Sequence, residues 1–170
     1  MLKNTTKRLA RTGIIAGLYV VLSLLVFPVA SGAIQFRASE LLTLLPLIFV
    51  EAVPALFIGC FISNLVTGCA LIDVIFGSVV TLVAGVLTYL ISLIVRKQGL
   101  KIFVGGLFPV FLNALLLPLI WVWCYGAPEY IYPVQALFLL LSQSVVIYLL
   151  GAPTCVAVQK LKDRGLAFFQ

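Results

Sequence analysis

Apolar residues run through this chain in long blocks, interrupted at a few places by charged or turn-forming residues. A helix needs about 20 apolar residues to cross the hydrocarbon core of a membrane. The first block predicts a span from about Leu9 to Phe27, behind Lys3, Lys7, Arg8 and Arg11. Val29-Ala30-Ser31-Gly32 has the look of a signal-peptide cleavage region, but everything after it is equally apolar, which favours a retained anchor. A loop from Pro28 to Phe36 leads to Arg37, and Ala38 to Ile62 is then continuously apolar except at Glu51-Ala52-Val53-Pro54. A glutamate is costly at the bilayer centre and Pro54 disfavours helical geometry at Val53, so this stretch divides into two short helices, Ala38 to Val50 and Pro54 to about Val66. Longer spans follow at about Ile72–Val95, Ile102–Trp123 and Val134–Val158, the last with a kink expected at Pro153. The expectation is an all-α integral membrane protein of six transmembrane helices, forming one domain over residues 1–170.

Charge gives this bundle a direction. Ten of the 11 basic residues fall in three clusters: before the first span, after the fourth and after the sixth. Basic residues near span ends stay in the cytoplasm, so both termini are expected inside. Arg37 is the single basic residue on the other side.

Composition narrows the chemistry. The chain is 64% hydrophobic and 9% charged, with a mean hydropathy of +1.26. A soluble fold of 170 residues cannot hide that much apolar surface. The chain has no histidine, which removes Ser-His, Cys-His and His-metal chemistry and argues against an intramembrane enzyme. Cys60, Cys69, Cys124 and Cys155 lie scattered in apolar sequence with no CxxC spacing and read as small apolar filler. No GxxxxGK[ST] run is present, so any uphill transport powered by ATP needs another subunit for hydrolysis. No cofactor, metal or nucleic-acid partner is expected.

The few polar residues inside the apolar frame gather toward the outer half. Gln35, Arg37 and Glu40 lie at the mouth of the second helix, Asn64 near the end of the third and Asp73 at the start of the fourth. Asn113 lies mid-depth in the fifth with Trp121 and Trp123 above it, and Gln135 and Gln143 descend the sixth. A mostly apolar wall with a few convergent polar groups is the pattern of a small-molecule site. Carboxylates and amides would pair with the donor and acceptor edge of a flat heterocycle, and an indole would cover its face. Each residue also has a structural reading: Arg37 and Glu40 are spaced to pair with each other, Asp73 to cap its helix, the tryptophans to form an interfacial belt, and the amides to bridge helices. Glu51 belongs to the opposite face and is left out of the cavity.

Small residues mark two further faces. Gly13 and Gly17 form a GxxxG with Ala10 one turn earlier, a surface on which a partner helix or a neighbour within the bundle can approach closely. Gly77, Thr81, Ala84, Gly85 and Thr88 form a similar stripe on the fourth helix, read as internal packing.

The runs Gln35-Phe36-Arg37-Ala38-Ser39-Glu40 through Pro46, Glu51-Ala52-Val53-Pro54, Gly59-Cys60-Phe61-Ile62-Ser63-Asn64 and Asp73-Val74-Ile75-Phe76-Gly77-Ser78 resemble the QueT family, substrate-binding S components of energy-coupling factor (ECF) transporters. The resemblance extends over nearly the whole chain and is most specific between Gln35 and Ser78. It implies an S-component-like bundle in a bacterial cell membrane, with an external site for a queuosine precursor such as queuine or its aminomethyl deazaguanine relative. It also implies an EcfT-like transmembrane scaffold and two cytoplasmic ATPases as partners, the scaffold met through small residues on the first helix, here Ala10, Gly13 and Gly17. On that reading Glu40 or Asp73 accepts from the base, Asn64, Asn113 or Gln143 donates to its carbonyl, Trp121 is a stacking face, and Glu129 is a candidate for the cationic arm. A self-contained carrier coupled to ions through Asp73 and Glu40 is the alternative, and the chain has no evident inverted repeat to support it.

Overall fold

The computed structural model describes residues 2–30, 36–125 and 132–165, and these are helical with short links. Helix α1 spans Leu2–Ala30, a 3₁₀ helix Ala38–Leu47, α2 Ala52–Val66, α3 Leu71–Ile94 and α4 Gln98–Tyr125. The last rod is α5 (Tyr132–Ser144), a π segment (Val145–Gly151) and α6 (Ala152–Asp163) in continuous succession. Four of these rods are long and apolar enough to cross a membrane: Thr5–Val26, Leu71–Ile94, Gln98–Trp123 and Tyr132–Asp163. The other two are apolar but short, 10 and 15 residues. At about 2.0 Å and 1.5 Å rise per residue they reach only about 20 Å each, short of the ~30 Å hydrocarbon core.

Helices α3 and α4 run antiparallel, whereas α1 and α2 run parallel, Arg11 meeting Glu51 at one end and Tyr19 meeting Gly59 further along. Trp121 near the end of α4 meets Asp73 at the start of α3, while Thr88 near the end of α3 donates to the carbonyl of Gly105 near the start of α4 (2.9 Å). One end of the bundle therefore collects the three basic clusters together with Glu51, and the other collects Arg37, Asp73 and Trp121. Helices α1, α2, α3 and α4, then the last rod, pack in sequence around the 3₁₀ helix, which touches all of them.

That short helix is the axis of the molecule. Ser39, Glu40 and every residue from Leu42 to Leu47 are buried. With three residues per turn, its side chains eclipse in three rows. Leu42 and Leu45 pack with Tyr19, Ala55, Leu56 and Cys60 of α1 and α2. Leu44 and Leu47 pack with Ile102, Val110, Ile147 and Cys155 on the α4 and last-rod side. The third row, Glu40, Thr43 and Pro46, turns toward α3 and α4, where Pro46 borders Gly85 and Glu40 meets Asn113. A helix apolar on all sides belongs inside a bundle. The expected second helix to Val50 thus ends at Leu47, and the third begins at Ala52, with Val53 helical. Pro54 falls in the first turn of α2, where its missing N–H leaves no bond unmade.

Close approach to the axis depends on glycine at a few points. A Cβ on Gly59 would lie 2.7 Å from the Tyr19 Cβ, and one on Gly151 would lie 2.9 Å from the Leu41 carbonyl oxygen. The small-residue stripe of α3 faces inward, with Gly77 against Asn64 and Gly85 against Val53 and Pro46. The kink expected at Pro153 takes the form of the π segment ending at Gly151. Proline cannot donate to the carbonyl four residues back and crowds it, and a wider turn relieves both problems.

At the basic end, Arg11 and Glu51 form a buried ion pair at 2.8 Å. The guanidinium of Arg11 and the ammonium of Lys162 sit 5.0 Å and 4.9 Å from the Phe49 ring centre, and Lys162 donates to the Ile48 carbonyl (2.9 Å). These contacts hold α1 and α6 to the chain just beyond the 3₁₀ helix. Glu51 lies at the end opposite Arg37, Asp73 and Trp121, as its position in the sequence indicates.

Candidate functional site

The third residue of the axial helix, Glu40, is the centre of a polar cluster inside apolar walls. Its side chain is 1% exposed. The Tyr19 hydroxyl donates to Glu40 Oε1 at 2.9 Å, and Asn113 Nδ2 donates to Oε2 at 3.3 Å. Tyr19 lies seven residues inside the Val26 end of the apolar window of α1, about 10 Å in depth. A carboxylate can accept about four hydrogen bonds, and two are made here. One lone pair on each oxygen remains for a pair of donors side by side.

Gln143 is the second notable group. It is 0% exposed, and neither Oε1 nor Nε2 has a hydrogen-bond partner. It lies four residues from Leu139, which packs on Ala114 and Leu117, and four from Ile147, which packs on Val110. That places its amide at the level of Asn113, on the face of the last rod directed at α4 and the axis. An unpartnered buried amide costs about 1–3 kcal/mol by mutational measures. Ser39 Oγ, beside Glu40, is likewise buried and lies next to the Tyr19 hydroxyl.

A second polar group borders the first. Trp121 Nε1 donates to Asp73 Oδ1 at 2.8 Å. Asn64 Nδ2 reaches the Asp73 carbonyl oxygen at 3.4 Å and Cys60 Sγ at 3.5 Å, and Thr81 Oγ1 also lies 3.5 Å from that sulfur. Cys60 packs with Tyr19 in the core, so it joins the two groups. Arg37, half-buried at the head of the axial helix, is within electrostatic range of Glu40, Tyr19, Cys60 and Cys69.

These positions decide between the alternative readings residue by residue. Arg37 and Glu40 make no ion pair within 4.0 Å, since the Glu40 oxygens face Tyr19 and Asn113. Asp73 does not cap α3, whose N-cap is Ala70; it stands in the first turn and bonds an indole. Trp121 is half-buried on that bond, while Trp123 is 85% exposed, as a belt residue would be. Asn64 bridges α2 to α3. Gln35 and Glu129 lie outside the described residues.

Tyr19, Ser39 and Cys60 complete the cluster and were not singled out by sequence reasoning. Tyr19 carried a signal: a phenol amid the apolar first span needs a buried acceptor. Ser39 and Cys60 carried none beyond ordinary small-residue packing.

Comparison with known proteins bears on what this arrangement serves. A family model described as QueT transporter matches residues 9–160. The chain is similar to the queuosine precursor transporter QueT of Lactococcus lactis subsp. cremoris (strain MG1363), at 36% identity over 85 residues. That match covers 49% of this chain and 50% of the relative, so the chain spans about half the length of the curated relative it matches. No solved structure matches.

Proposed function

Because this chain belongs to the QueT transporter family, a family of transporters and not of enzymes, we propose that it is the membrane-embedded substrate-binding subunit of an ATP-driven ECF-type importer, with a queuosine precursor as its ligand. It is a multi-pass integral membrane protein. In this reading the ligand is queuine or an aminomethyl deazaguanine, and it enters from the end that carries Arg37, Asp73 and Trp121. The single observation that carries the site is the buried Glu40 carboxylate, steadied by Tyr19 and Asn113 and still able to accept two donors. A deazaguanine edge offers such a pair, its ring N–H and exocyclic amine, while its carbonyl accepts from the Gln143 amide. Asp73, oriented by Trp121, accepts from the cationic arm. Asn64 and Arg37 shape the mouth, with Gln35 next to it in sequence.

In this reading the opposite end and both termini face the cytoplasm, which the clustering of basic residues supports, and the two short apolar helices complete six passes where the bilayer is locally thinner. Energy comes from two cytoplasmic ATPases through an EcfT-like scaffold. The face for that scaffold is α1, where Ala10, Gly13 and Gly17 are exposed and a Cβ on either glycine meets nothing within 4 Å. Only 22% of the α1 window is buried, against 44% for α3 and 50% for α4, which leaves α1 the freest long helix to dock.

Mass spectrometry of the small molecule that copurifies with the protein tests the ligand. A deazaguanine is the expected result; a flavin or folate refutes the assignment while leaving the importer reading standing. Gly13→Leu is expected to abolish copurification with the scaffold and to leave ligand affinity unchanged. Retained copurification would remove α1 as the docking face.

A further inference from the structure

A cavity lies at the basic end, remote from Glu40. It has a volume of about 230 Å³ and opens between the first turn of α4 and the last turns of α6, with the end of the axial helix behind it. Its origin is in the packing. Tyr148 of the π segment stacks on Phe103 (ring centres 5.9 Å apart), donates to the Phe103 carbonyl (2.8 Å), and covers Gly106. Beyond that contact α6 packs on the π segment and the axial helix instead of following α4, and the gap between the two rods is the cavity.

Its lining has a definite chemistry. Leu47 and Ile102 form an apolar floor, Gln98 and Gln159 supply amides, and the charges are Arg96, Lys101 and Asp163. Neither Arg96 nor Lys101 has an ion-pair or hydrogen-bond partner for its side chain among the described residues. Lys101 and Cys155 line the cavity together, close enough for the ammonium to act electrostatically on the thiol. The Asp163 carboxylate accepts from Gln159 (2.8 Å) at the rim. Two cations against one carboxylate leave a net charge of +1, which balances a singly charged phosphodiester and falls short of a phosphate dianion. The N-terminus of α4 adds positive partial charge to the same wall. Height agrees as well: Arg96 lies two residues beyond the end of the α3 span and Gln98 opens that of α4, so the cavity sits where lipid headgroups lie.

We propose that this cavity binds the phosphodiester of an anionic phospholipid headgroup, with Arg96 and Lys101 on the phosphate and Leu47 and Ile102 against the glycerol and ester region. Basic pockets between spanning helices are suited to this recognition.

The test is native mass spectrometry of delipidated protein titrated with phosphatidylglycerol or with phosphatidylcholine. The wild type is expected to take up one phosphatidylglycerol in preference to phosphatidylcholine. Arg96→Gln and Lys101→Gln are each expected to weaken that binding about fivefold, and together about thirtyfold. Lys97→Gln/Lys160→Gln removes equal charge from the same end outside the cavity and is expected to bind as wild type. Equal losses in the two double variants, or no preference between the lipids, would overturn the proposal. Inorganic phosphate separates the two sources of this chemistry: displacement of the lipid by millimolar phosphate would make this a free-phosphate site and refute the lipid assignment.

Discussion

Replacing Gln143 with methionine should move stability and ligand affinity in opposite directions. The amide is 0% exposed, and both its polar atoms lack partners. Methionine has the same reach and no group to desolvate, and its flexibility lets it fill an irregular gap. Removing an unpaired buried amide recovers about 1–3 kcal/mol. For a chain of this size each kcal/mol is roughly 2–4 °C in melting temperature. The ligand-free Gln143→Met protein should therefore melt a few degrees higher than wild type. A bound ligand loses a hydrogen bond and keeps a buried acceptor unpaired, costing about 1–3 kcal/mol, or about 5- to 150-fold in Kd. Scanning fluorimetry on the intrinsic tryptophans, with and without queuine, and calorimetric titration with queuine read the two effects separately. A variant that melts lower and binds as tightly as wild type would refute the argument, because Gln143 would then be packing and no more.

Four other expectations rest on separate contacts. Glu40→Gln sets an amide nitrogen against either the Tyr19 or the Asn113 donor and removes the charge, so ligand Kd should rise at least about tenfold, a charged hydrogen bond being worth about 1.5–3 kcal/mol. Asp73→Asn keeps an oxygen for Trp121 and should lose less; equal losses by titration would contradict the central place of Glu40. Gly59→Ala puts a Cβ 2.7 Å from the Tyr19 Cβ, so it should lower thermal stability by about 1–3 kcal/mol, whereas Gly13→Ala meets nothing and should not. Glu51→Ala strands Arg11 in a buried position and should cost about 3–5 kcal/mol, with Arg11→Met/Glu51→Met recovering part of it in a double-mutant cycle.

Much of the fold was legible because hydropathy over a span-length window needs no knowledge of neighbours. The rods beginning at Leu71, Gln98 and Tyr132 start within a few residues of the expected places, and the outlying position of Glu51 followed from chain order alone. The division near Glu51-Pro54 was legible too, but not the geometry on either side of it. An apolar run from Ala38 to Leu47 has no polar face whose period would separate a 3₁₀ from an α-helix.

The candidate site divides in the same way. Glu40, Asp73, Asn64, Asn113 and Gln143 stand out in the sequence because polar groups are rare within apolar spans. What each one does was undecidable there. Asn64 and Gln143 are both amides near the same end, yet one bridges α2 to α3 and the other has no partner. Tyr19, 21 positions before Glu40, becomes its closest donor. The sequence by itself determined the membrane class, the direction of charge and the short roster of polar groups, since these depend on the transfer of each residue out of water. Only the tertiary structure decided which polar groups satisfy one another and which are left over, because hydrogen bonds act over about 3 Å between atoms that the chain order keeps far apart.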